Sequence, residues 1–149
     1  MMVAAIRPDA WNLPLLVHVT GAMLLVASLG VVLALMAGSL RWGEHAEVLT
    51  GLAFRASLVG VLPAYVVMRA GAEWIASEAA WGEPAWIGIG FATADGGLLL
   101  AIIATVLAWR AARRGAHGPA GAGRAVVGLS IVMLVAYAVA IWAMTAKPA

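Results

Sequence analysis

The sequence predicts an all-α membrane protein, a four-transmembrane-helix bundle that forms a single domain over residues 1–149. Three observations lead to this fold class. Hydrophobic residues make up 64% of the chain and charged residues only 11%, whereas soluble domains carry about 25% charged residues. The mean hydropathy is +1.00. The apolar residues also fall into long runs, and each run has the roughly 18 residues that a helix needs to cross a bilayer.

The first apolar run covers residues 13–40. It is longer than the apolar part of a signal peptide and lacks a small-residue cleavage motif at its end, so we expect a retained first helix. Pro14 falls in the first turn, where a helix tolerates proline. The connection that follows, SLRWGEHAEVLT, is rich in charged residues and is predicted to be aqueous.

Three further runs complete the bundle, at residues 51–72, 87–109 and 125–146. Pro63 lies inside the second run and predicts a kink there. An acidic, tryptophan-rich loop separates the second run from the third. The third run contains Asp95 in an Asp-Gly-Gly sequence that is also typical of a turn. A turn there would leave a second piece too short to span, so we predict a continuous helix, with a local opening as an alternative.

The basic residues predict how the bundle is oriented, because cytoplasmic loops carry an excess of Lys and Arg. The first and third loops with the adjoining helix ends contain most of them: Arg41, Arg55, Arg110, Arg113, Arg114 and Arg124. The other side has Arg7, Arg69 and Lys147. Loops 1 and 3 are therefore expected in the cytoplasm, with both termini outside. The tryptophans fall at span ends or in the acidic loop, as in an interfacial belt: Trp11, Trp42, Trp74, Trp81, Trp86, Trp109 and Trp142.

Arginine greatly outnumbers lysine, and alanine and glycine are abundant, which indicates a GC-rich genome. We therefore expect a multi-pass protein of a bacterial cytoplasmic (inner) membrane. The lipid bilayer is its first partner. No nucleic-acid partner is predicted, because membrane topology accounts for the arginine-rich loop.

Asp95 is the residue around which a functional site is predicted. At ~1.5 Å per residue it lies ~12 Å below the end of its helix at Ile87, too deep for a short side chain to reach the interface. A charged residue at this depth costs ~2.5 to 3.5 kcal/mol even on the lenient insertion scale. A functional role is therefore favoured, and a neutral or paired structural acid is the alternative.

One polar residue on each of the other spans lies at a similar depth, ~10 to 14 Å from the outer end: His18, Tyr65 and Tyr137. Arg69 follows Tyr65 by one helical turn, and Glu73 follows Arg69 by one more. We therefore predict a polar chamber in the outer half of the bundle, which binds or passes a small ligand or proton. For the tyrosines, and for His18 taken alone, simple hydrogen bonds between helices are the better interpretation.

Several chemistries are excluded or weakened by the residues present. The chain has no cysteine, so disulfides, iron–sulfur clusters and thiolate sites are ruled out. A bis-histidine haem is not expected, because His18 is the single histidine in the predicted spans. No catalytic residue is predicted. Whether the protein is an enzyme is left undecided, and a non-enzymatic role is preferred. No cofactor or metal is expected, although a soft copper(I) site from His18, Met68 and Met144 is an alternative on depth. A quinone is a second alternative cofactor.

The start of the first run reads LLVHVTGAMLLVASLGVVLALMAG, with His18 three residues before Gly21. It resembles the first helix of small bacterial integral membrane proteins of the copper-resistance protein D type, and the similarity covers this helix and the four-span layout. The resemblance implies an inner-membrane protein linked to copper or redox handling, with His18 carried over. A second membrane histidine of that family has no counterpart in this chain.

The alternative to ligand binding or transport is a non-catalytic accessory or assembly subunit of a larger membrane complex, either quinone-using or copper-handling. Small residues recur at helical spacing and favour close helix contact, within the chain, in a homo-oligomer or with another subunit. They form three stripes: Gly30, Ala34 and Gly38; Ala56, Gly60 and Ala64; Gly88, Ala92 and Gly96.

Overall fold

A computed structural model describes residues 9–78, 85–114 and 120–146. All of these residues except Trp42 belong to helices, and none of them forms a β-strand. Arg7, Trp81 and Lys147, on which the orientation and the tryptophan belt partly depend, lie outside the described residues.

Five α-helices make up the described chain: α1 (Asn12–Arg41), α2 (Ala46–Ala56), α3 (Leu62–Glu78), α4 (Ala85–Arg114) and α5 (Ala120–Ala146). Short 3₁₀ turns at Asp9–Trp11 and Gly43–His45 precede α1 and α2. A π-helical segment, Ser57–Val61, joins α2 to α3 without a break.

These elements give four helical stretches long and apolar enough to cross a membrane: Asp9–Arg41, Gly43–Glu78, Trp86–Arg113 and Gly121–Ala146. The predicted all-α fold, with four helices long and apolar enough to span a membrane, is thus confirmed among the described residues. Most of the connection expected to be aqueous is helical, because a helix needs no apolar residues where it extends beyond the bilayer. Thr50 in this connection makes a contact typical of a helix, because its hydroxyl donates to the carbonyl of Ala46 one turn earlier, at 2.8 Å.

Pro63 explains the π-helical segment. Proline has no N–H to donate to the carbonyl four residues earlier, and its ring would clash with that carbonyl in a regular α-helix. A wider π turn just before Pro63 accommodates both constraints. The second span therefore consists of two parts that differ in their contact with α4. Both parts pack against α1, but the first part, α2, also packs against α4, whereas the second part, α3, makes few contacts with α4.

Helices α1 and α3 cross in close contact. A Cβ atom on Gly21 would collide with the main chain of Met68, and a Cβ atom on Gly71 would collide with the main chain of His18. The two helices therefore touch backbone to backbone, which only glycine permits at these positions. The contact is reciprocal, since each glycine lies three residues after the residue that the other glycine contacts.

Candidate functional site

A cavity of about 570 Å³ lies among all four spans, in the half of the bundle that contains the start of α1 and the end of α5. We call this the terminal half. Apolar residues form most of the wall, and Trp11, Trp86 and Phe91 add aromatic rings. Four of the described wall residues are polar: His18, Arg69, Thr93 and Tyr137.

Two features of the sequence leave this space empty. First, α3 diverges from α4 beyond the π-helical segment, so these two helices do not pack against each other in the terminal half. Second, part of the wall consists of residues too small to fill the gap: Ala22, Ala72, Ala76, Gly90, Ala94 and Ala140.

His18 is positioned by the glycine crossing. Because α1 and α3 are so close there, its Nδ1 atom lies 2.9 Å from the main-chain carbonyl oxygen of Met68. A carbonyl can only accept a hydrogen bond, so Nδ1 carries the proton and donates it. In the neutral ring, Nε2 is then an acceptor. The half-buried imidazole lines the cavity with this orientation fixed.

Arg69 is held by groups from two helices. Its Nη2 lies 2.8 Å from Glu73 Oε1 one turn along α3, and its Nη1 lies 3.1 Å from Asp95 Oδ1 on α4. The Nη1 contact is an ion pair without hydrogen-bond alignment. The guanidinium carbon also lies 4.6 Å from the centre of the Phe91 ring. The side chain is 27% exposed and bridges the gap between α3 and α4.

Asp95 lies on the surface of the bundle rather than in the cavity wall. Its side chain is 65% exposed, and its carboxylate reaches the cavity only through Arg69. This differs from the predicted chamber, in which Asp95 was the central acid. Helix α4 continues through the Asp-Gly-Gly sequence in regular α geometry, so neither a turn nor a local opening occurs there.

The two tyrosines have different surroundings. Tyr137 is 6% exposed and lines the cavity, with its hydroxyl against Gly97 of α4, where a Cβ atom would collide with it. Tyr65 is 5% exposed and packs in the hydrophobic core, outside the cavity wall. Gly97 thus makes room for Tyr137, which accounts for one glycine of the Asp-Gly-Gly sequence.

The predicted residues therefore divide into two groups that share Arg69. One group is the ion-pair cluster of Arg69, Glu73 and Asp95, and the other is the cavity wall with His18, Arg69 and Tyr137. The copper alternative places its three residues in one wall, since Met68 and Met144 line the cavity with His18. Among the described residues, no three His, Asp or Glu side chains cluster at metal-binding distance.

Sequence reasoning missed Phe91 and the glycine pair at the crossing. Phe91 precedes Asp95 by one turn on α4, so a cation that reaches Asp95 also reaches the ring. The spacing of Gly71, three residues after Met68, is the same as that of Gly21 after His18. This shared spacing is the sequence pattern from which the glycine pair could have been predicted.

No protein-family model matches the chain, and no curated protein and no solved structure is significantly similar to it. The function is therefore inferred from the cavity and its surroundings.

Proposed function

We propose that the cavity of the terminal half binds a small, largely apolar molecule within the membrane. The observation that supports this most is the combination of size and lining. About 570 Å³ falls in the range of small-molecule sites, ~300 to 1,000 Å³, and such sites typically combine apolar and aromatic walls with a few polar groups. The described wall contains no carboxylate and no nucleophile paired with a base, which favours binding over catalysis.

Binding of a molecule is favoured over passage of a proton. A proton path through the cavity would need titratable groups in series, and Asp95 and Glu73 lie outside its wall. Besides Arg69, only His18 and Tyr137 carry an ionisable group among the described wall residues.

The proposal includes the orientation of the bundle and its membrane. Arg69 is the only arginine or lysine of the terminal half among the described residues, and two carboxylates neutralise it. The opposite half carries Arg41, Arg110 and Arg113 on the ends of its helices. This distribution supports a terminal half that faces the outer side of a bacterial cytoplasmic membrane. The ligand then reaches the cavity from the outer side or from the outer leaflet.

A second candidate is a subunit that docks onto another transmembrane helix, and one observation favours it. Gly88, Ala92 and Gly96 are all exposed on α4, and a Cβ atom on either glycine would meet nothing within 4 Å. By contrast, Gly60 of another predicted stripe faces Ser28 inside the chain. A helix of a second subunit would find close backbone access on this open face of α4. Co-purification of a fixed partner that Ala92→Leu abolishes would support this candidate.

The ligand proposal can be tested by filling the cavity. Ala72 lines it, whereas Ala70, two residues away on α3, is exposed on the bundle surface. We expect Ala72→Phe to occlude the cavity and Ala70→Phe to leave it open. The probe is an alkylbenzene ether that carries a diazirine, used to photolabel the purified protein in lipid nanodiscs.

Labelling of the cavity residues should be saturable in the native protein and in Ala70→Phe, and at least ~10-fold weaker in Ala72→Phe, because the added ring takes up cavity space that the probe needs. Circular dichroism and size-exclusion chromatography establish that both variants are folded. Equal labelling of the two variants, or labelling that rises linearly with probe concentration, would contradict the proposal.

A further inference from the structure

We infer that the ligand of this cavity is an uncharged, hydroxylated aromatic molecule that donates its hydroxyl hydrogen bond to Nε2 of His18. The inference rests on the proposed function, since it names the chemical class that the same cavity selects. It follows from the hydrogen bond that His18 makes, from the charges around Arg69 and from the aromatic rings in the wall.

The first step concerns His18. Its Nδ1 donates a hydrogen bond to the carbonyl oxygen of Met68, with 2.9 Å between the two atoms. Nε2 has no hydrogen-bond partner among the described residues. An unprotonated ring nitrogen accepts a hydrogen bond but cannot donate one. A ligand that meets the neutral ring at Nε2 must therefore supply a donor. A ketone, an ether or an ester offers only acceptors and would leave Nε2 unsatisfied.

The second step concerns charge. Arg69 is the only cation in the described wall, and it is already paired with Asp95 and Glu73 and stacked on Phe91. One guanidinium and two carboxylates together carry a formal negative charge, so an anionic ligand gains no counter-charge here. A cationic ligand would meet Arg69 in an apolar wall without a carboxylate of its own. The wall therefore favours a neutral molecule.

The third step concerns shape. Trp11 and Trp86 line the cavity from the starts of α1 and α4, and Phe91 lines it one turn deeper. Aromatic walls favour a flat ring, which packs against them face to edge or in offset stacks. A neutral ring with a hydroxyl group is a phenol, and the class includes the reduced, dihydroxy forms of aromatic redox carriers.

A matched pair of ligands tests the inference. 4-Pentylphenol and its methyl ether, 4-pentylanisole, share the ring and the alkyl tail, but only the phenol has a donor. We expect the phenol to displace the photolabel from the native protein at about tenfold lower concentration than the ether, the difference that one hydrogen bond of ordinary net strength gives.

Three variants identify the acceptor. His18→Phe should reduce the preference for the phenol to less than about twofold and leave displacement by the ether unchanged. His18→Gln retains an amide oxygen as acceptor and should keep part of the preference. Tyr137→Phe removes a hydroxyl that also lines the cavity and should keep the full preference, because Tyr137 is not the acceptor in this assignment.

Equal displacement by the two ligands in the native protein would overturn the inference, as would a preference that survives in His18→Phe or disappears in Tyr137→Phe. In each of these cases the loss of labelling in Ala72→Phe still supports a ligand cavity. If neither ligand displaces the probe and Ala72→Phe labels like the native protein, the proposed function fails together with the inference.

Discussion

The two sides of α3 differ in how tightly they pack against neighbouring helices. Toward α1, the helices meet at Gly21 and Gly71 with no side chain between their backbones. Toward α4, the same stretch of α3 leaves a cavity that is bridged by the Arg69 guanidinium with its two carboxylates. The contrast shows how a narrow bundle can hold an empty space, because the tight side fixes α3 in place while the open side remains unfilled.

The tight side also prepares the open one. The backbone contact brings the His18 ring to the Met68 carbonyl, and this hydrogen bond orients the imidazole that lines the cavity. A looser crossing would leave that ring free to rotate. Three predictions, from the largest expected effect to the smallest, test whether the two sides differ in this way.

Gly71→Ala should produce the largest loss of stability. Its new methyl group would meet the main chain of His18, and overpacking against a backbone that cannot move aside should cost about 3 kcal/mol. Gly128→Ala is the matched control, since a Cβ atom there meets nothing, and it should be neutral or stabilise by up to ~1 kcal/mol. The free energy of unfolding is measured by titration with sodium dodecyl sulfate. A Gly71→Ala variant as stable as the control would mean that the helices are not in backbone contact.

Arg69→Met should cost less, about 2 kcal/mol, because it leaves two carboxylates near the bilayer without a counter-charge. Adding Asp95→Asn should recover part of this loss, since an amide needs no cation. Asp95→Asn alone should have a smaller effect, because Arg69 keeps Glu73 and the Phe91 ring. The same unfolding titration on the four proteins gives the coupling energy between the two residues. Additive effects would show that the ion pair does not bridge the gap.

Phe91→Leu should have the smallest effect, ~0.5 to 1 kcal/mol, because it removes the ring under the guanidinium but keeps an apolar side chain. If the ring acts through Arg69, its effect should disappear when Phe91→Leu is made in the Arg69→Met protein. An undiminished effect in that background would assign the ring a packing role instead.

The sequence predicted the spans because composition and run length alone determine whether a helix can cross a bilayer. It predicted the pairing of Arg69 with Glu73 for a similar reason, since residues four apart always share a helix face. The depth of each side chain in the bundle could also be predicted, because each residue adds a fixed rise along the helix. The rotation of each helix about its own axis could not be predicted. A helix that is apolar on all sides carries no signal for the face that turns inward, so Asp95 could be placed in height but not in direction.

The rotation of α4 about its axis depends instead on contacts with another span. Gly97 leaves room for the hydroxyl of Tyr137, and this contact between α4 and α5 places Asp95, two residues earlier, on the outside. Such a pairing joins residues far apart in the chain and has no local pattern.

The π-helical segment has a consequence for how this chain can change in length. A π turn holds one residue more than an α turn, so the loss of a single residue from Ser57–Val61 can be absorbed by a return to regular α geometry that keeps α3 facing the same way relative to α2. Arg69, Ala72 and Gly71 would then keep their neighbours. Deletion of one residue should therefore change the facing of α3 less in these five positions than in the regular helix on either side, where it would rotate everything beyond it by about 100°.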